Sequence, residues 1–221
     1  MSIFSETISK TKFSGLGLIV AGILFGSFMF FHPVNNVEGA LEKIWVPVHM
    51  MWFIAYLLII CSWVPLYALI IAHGTLMKVS YWLSLIGTVL SVPIAVWDSF
   101  IVPYLAVHAP DFVLQIEEIS VETPVVVFRI IVFLTIFIFC LGFILFGIES
   151  MRLQLLDKIS SACLALGSPL FWIGALFVSK GPIGNLVTEI GGFLFGIGLL
   201  ILGKNLFLHA KLANSYTDLQ V

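Results

Sequence analysis

Charge is what this chain has least of. Its 221 residues include 10 Lys+Arg and 12 Asp+Glu, a charged fraction of 10% against 61% hydrophobic residues. A soluble domain carries roughly 25% charged residues, so there is too little polar material here to coat a globule, and a disordered chain is excluded by the same balance. A net charge of −2 leaves no basic stripe for nucleic acid. The three cysteines, Cys61, Cys140 and Cys163, are an odd number, each inside an apolar run. They read as small packing residues rather than as disulfides or a metal cage.

Catalytic signatures are missing as well. The sequence has no HExxH, His-x3-His, CxxC, P-loop or GxSxG motif, and no single span pairs two carboxylates at ligand spacing. Gly15-Leu16-Gly17 lacks the strand, loop and acidic residue of a dinucleotide site. Any chemistry must be assembled from several helices.

Six long apolar runs take the place of these motifs, at about 14–33, 45–72, 80–106, 124–148, 159–179 and 186–208, and the mean hydropathy is +1.15. Each meets the roughly 20 residues that a spanning helix needs, and none alternates with the period of two of a barrel strand. The expected fold is all-α: a polytopic bundle of six transmembrane helices forming one domain over residues 1–221, in contact with the lipid bilayer. The first run, after Lys10 and Lys12, is longer than a signal-peptide core and has no small-residue cleavage site, so it reads as a permanent span. With the N-terminus inside, Lys10, Lys12, Lys78, Arg152, Lys158, Lys204 and Lys211 are inside. Only Lys43 and Lys180 lie outside, with Arg129 just within the fourth span. That asymmetry predicts the cytoplasmic (inner) membrane with both termini cytoplasmic.

The connection between spans three and four carries Pro110 and Asp111 at a helix start. Phe112, Val113, Ile116 and Ile119 share one face, with Gln115, Glu117 and Glu118 on the others. This predicts a short amphipathic helix on the outer surface, lying as a lid over any outer site. Gly22/Gly26 and Gly192/Gly196 have the small-xxx-small spacing of close helix packing, and Pro65, Pro93 and Pro169 predict kinks at mid-span. A homo-oligomer or a larger membrane complex is left open.

Ionisable residues within spans are costly and therefore informative. His49, Asp98, Arg129 and Glu189 lie on four different helices, each in the outer third, with His32 and His108 at the rim above. The inner half has nothing equivalent, since His73, Lys78, Glu149, Arg152 and His209 fall at helix ends, where they can snorkel. Asp98 is the deepest charge and calls for Arg129 or His49 as partner; Arg129 can instead reach outward to Glu122 or a lipid phosphate. Trp45, His49, Trp52 and Phe53 share a face of span two.

Two readings of this pocket stand against a purely structural one. It binds a cofactor or ion, with haem b held by His49 and either His32 or His108, or a metal held by His49 and Asp98. Alternatively it belongs to a small transporter or proton-coupled carrier using Asp98, Arg129 and Glu189. In a structural or accessory subunit, the polar groups only fix packing. The segments Phe31-His32-Pro33, Trp45-Val46-Pro47-Val48-His49 and Phe100-Ile101-Val102-Pro103 resemble a loose group of uncharacterised six-helix bacterial membrane proteins. That resemblance covers roughly the first half of the chain and implies a single six-helix unit in the cytoplasmic membrane.

Overall fold

The computed structural model describes residues 3–70, 72–117, 123–177 and 182–218. All the regular structure among them is helical. The long helices are α1 (Ile3–Ser27, ending in a 3-10 turn Phe28–Phe31), α3 (Trp45–Ile70), α4 (Thr75–Val96), α7 (Thr123–Arg152), α8 (Lys158–Phe177) and α9 (Pro182–Asp218). Three short ones lie between them: α2 (Val37–Ala40), α5 (Val102–His108) and α6 (Pro110–Glu117). Six helical segments are long and apolar enough to cross a membrane, and the chain is a multi-pass membrane protein. The apolar residues left outside, such as Phe13, Ile23, Ile131, Phe137 and Ile159, cover the outward faces. That is an aggregation surface in water and the ordinary state of a helix in lipid.

The six long helices close into a ring. Going round, α1 packs on α3, α3 on α4, α4 on α7, α7 on α8, α8 on α9, and α9 back on α1. Aromatic side chains fill the centre. Phe25 meets Tyr56, Phe171 and Phe195 at ring-centroid distances of 5.7, 5.1 and 4.9 Å, and Phe143 meets Trp63 and Phe195 at 5.3 and 4.7 Å. Edge-to-face pairs of this kind contribute about 0.5–1.5 kcal/mol each beyond the area they bury. The ring closes where small residues allow it: a Cβ added to Gly22 would lie 2.5 Å from the Gly196 carbonyl oxygen, and one added to Gly203 would lie 2.6 Å from that of Gly15. Gly22 and Gly196 therefore serve internal packing of α1 on α9.

Several boundaries shift from the sequence reading. Span three starts at Thr75 rather than about 80 and runs to His108 through two changes of helix type. Spans two and five are helical through Ile70 and Phe177, and residues 71 and 178–181 beyond them lie outside the described residues. The helices continue through Pro65 and Pro169. Beyond Pro93 the backbone widens into a π-helical turn, Trp97–Ile101, that periodicity did not announce. The expected surface helix is present as α6 over Pro110–Glu117, with Val113 buried and Asp111 and Phe112 exposed. Glu118, Ile119, Glu122 and Lys180 lie outside the described residues, as do the side chains of Gln115, Ile116, Glu117 and His209. The helix α2, capped by the Asn36 side chain on Gly39 N–H at 2.8 Å, was not foreseen in so short a connection.

Candidate functional site

Proline sets the first half of the site. Pro33 drives the preceding residue out of the helical region, and His32 ends α1 in an extended conformation (φ −72°, ψ 123°). Its ring turns onto the second turn of α3, where His49 is only 2% exposed. The two Nε2 atoms stand 3.1 Å apart. On the other side of each ring, Nδ1 of His32 lies 2.6 Å from the Pro33 carbonyl oxygen, and Nδ1 of His49 lies 2.8 Å from that of Trp45.

The carbonyl partners assign the tautomers. A carbonyl oxygen only accepts, so both Nδ1 atoms must be the donors. Two neutral imidazoles carry one ring proton each, and the carbonyl bonds use both. Both Nε2 atoms are then lone pairs facing one another, a contact that is repulsive unless a positive charge lies between them.

Aromatic rings enclose it. Trp45 stacks on His49 at 4.3 Å and 29°, and lies 5.4 Å from His32. Phe28 is 6.5 Å from His32, and Trp52 is 6.4 Å from His49. An indole face at this range stabilises a cation by about 0.5–2 kcal/mol. Burial opposes it: desolvation lowers the pKa of His32 from its ordinary value, and the Pro33 carbonyl offsets part of that.

The remaining sequence candidates do not join this contact. The Asp98 carboxylate is half-buried in the π-helical turn and makes no hydrogen bond or ion pair with another described side chain. Its backbone carbonyl instead accepts the Trp45 indole N–H at 2.7 Å. Arg129 is half-buried on α7, beside Phe128, whose ring contacts Trp97 at 5.2 Å. Glu189 is half-buried on α9. His108 sits exposed at the end of α5, stacked on Tyr104 at 4.2 Å, with Nδ1 2.9 Å from the Tyr104 carbonyl. At the far end, Arg152 holds the buried Glu149 with two nitrogens, at 3.0 and 2.7 Å, and α8 begins on an Asp157 cap.

Two polar features beneath the histidines escaped the sequence reading. The Trp52 N–H, the Tyr56 hydroxyl and the Trp172 N–H are buried without hydrogen-bond partners among the described residues. On α4, a file of buried hydroxyls faces inward. Tyr56 continues the 45, 49, 52 spacing by one more turn, and that spacing was the available signal.

Among the described residues, no group of three or more His, Cys, Asp or Glu side chains is placed to hold a metal ion. No family model matches the chain, no curated protein is significantly similar to it, and no solved structure matches it.

Proposed function

We propose that this membrane protein binds one cation between His32 and His49, and that the cation is a proton. The observation that carries the reading is the 3.1 Å approach of two Nε2 atoms whose partner nitrogens both face carbonyl oxygens. That separation is a hydrogen-bond length. One extra proton turns the opposed lone pairs into an imidazolium–imidazole pair with Trp45 stacked against it. The low proton affinity imposed by burial suits a site that loads in acid and releases near neutrality, as a proton-coupled carrier requires. On the positive-inside bias and the resemblance to six-helix bacterial proteins, the pair lies at the outer face of a cytoplasmic membrane.

A metal ion is the second reading, favoured by the two Nδ1–carbonyl bonds, which are the usual support of metal-bound histidine. With bonds of about 2.05 Å, an N···N separation of 3.1 Å gives an N–metal–N angle of about 98°. That angle suits cis ligands with Asp98 drawn in as a third. It does not suit haem b, whose axial nitrogens stand about 4 Å apart on opposite faces of the ring.

Proton uptake by purified protein in nanodiscs tests both. Between pH 8 and pH 4, wild type should take up one proton more than the double variant His32→Asn/His49→Asn. A difference of two would mean two independent histidines. A stoichiometric metal that leaves in the double variant would replace the proton reading with the metal one.

A further inference from the structure

Helix α4 buries Ser80, Ser84, Thr88 and Ser91 completely, and the π-helical turn that continues it buries Ser99, each at 0% exposure. Their spacing of three or four residues, with a longer step across Ala95, puts them on one face. Each hydroxyl donates to a carbonyl of its own helix, at 2.8 Å for Ser80, 2.9 Å for Ser84, 2.7 Å for Thr88, 2.8 Å for Ser91 and 2.6 Å for Ser99. Small back-bonded residues of this kind also serve plain helix packing in lipid. Packing does not explain Tyr56. Its hydroxyl is fully buried, near the Ser91 hydroxyl of α4 and the Trp52 indole one turn back on its own helix, and has no hydrogen-bond partner among the described residues.

The polar groups continue to both ends of the bundle. Above Tyr56 lies Trp52, then His49 and His32. Below it, Trp63 donates its indole N–H to Ser84 at 3.0 Å, and Tyr81 donates to the Trp63 carbonyl at 3.2 Å. Ser80 then bonds Met77, which lines a cavity of about 250 Å³ with His73 and Ser150 at the opposite end of the bundle from the histidine pair.

We propose that the α3–α4 seam is a proton route joining the His32–His49 pair to the cavity at His73; this rests on the pair binding a proton. A hydroxyl takes the incoming proton from one water on its lone pair, swings its own proton away from the helix carbonyl, releases it to the next water, and then rotates back onto the carbonyl. One proton and one positive charge cross per passage, and nothing is oxidised or reduced. Successive hydroxyls one helical turn apart are about 5–6 Å from each other, so water must bridge them. Asp98 and Cys140 lie within electrostatic reach of the Tyr56 oxygen, and a charged Asp98 would favour the proton in transit.

The test is proton flux into liposomes carrying the protein, driven by a potassium diffusion potential and read by an internal pH dye. Wild type should acidify the lumen well above empty liposomes. Tyr56→Phe, which deletes an unpartnered hydroxyl and leaves packing intact, should cut the flux at least tenfold, and Thr88→Val should do the same. Proton uptake at the pair should survive in Tyr56→Phe. Wild-type flux no greater than that of empty liposomes would overturn the route, as would full flux in both variants. If wild type lacks the shared proton in the uptake measurement, the underlying reading fails instead.

Discussion

Trp45 donates its indole N–H to the backbone carbonyl of Asp98 at 2.7 Å while stacking on His49, so one side chain joins the histidine pair to the π-helical turn. A π turn leaves backbone groups poorly served, and such turns often sit at functional positions. The Trp45 bond crosses from α3 to that turn and holds it at the depth of the pair. Ala40 and Ala106 pack around the same indole, which brings α2 and α5 against it.

Trp45→Phe keeps a ring on His49 and removes the donor. The Asp98 carbonyl then loses its bond in a buried place, at a cost of about 1–3 kcal/mol. Thermal unfolding in detergent should show a clear drop, and amide exchange should rise in the 97–101 segment. Unchanged exchange there would mean the π turn stands without Trp45.

The α1–α9 seam gives a graded expectation. A Cβ at Gly22 would lie 2.5 Å from backbone, whereas one at Gly26 would find its nearest neighbour at 3.6 Å, an ordinary contact. Gly22→Ala should therefore destabilise the bundle by about 1–3 kcal/mol, as overpacking does, with Gly26→Ala costing far less. Equal effects in a denaturant series would show that the two helices give way at this seam.

The bundle was legible because each span is a run of more than about 20 apolar residues, and lipid leaves only helices as a solution. Depth was also legible: counting residues from the span ends placed His49 and His32 at one end of the bundle. Partnership was not. Asp98 was matched to Arg129 or His49 by charge and depth, yet helix rotation decides which groups meet, and the π turn changes the rotation at that residue. His108 failed to reach the pair for a similar reason, since it ends α5 on an exposed face beside Tyr104. The inward serines of α4 carried a readable spacing, but their hydroxyls look like ordinary small residues until Tyr56 is seen opposite them.

The orientation with both termini inside is an expectation from lysine and arginine alone, and it can be measured directly. Glu42, between α2 and α3, and Gln154, in the turn between α7 and α8, are both exposed. In a background lacking Cys61, Cys140 and Cys163, Glu42→Cys should react with an impermeant thiol reagent applied outside intact cells. Gln154→Cys should react only after the membrane is opened. The opposite pattern would invert the topology and put the histidine pair on the inner face.

His32 gives the pH dependence its sign. Burial lowers its folded-state pKa below the ordinary histidine value of 6.5, so the folded protein binds this proton less readily than the unfolded chain. The stabilisation is then present in full above about pH 6.5 and is lost as the pH falls through the lowered folded value. Unfolding temperature should decline over that acidic window in wild type. In His32→Asn the part of the slope due to this group should disappear, and the difference between the two proteins isolates it from the other histidines. A decline in wild type that matches His32→Asn across the window would show that burial of His32 is not coupled to folding, and the pair would lose its claim as a proton site.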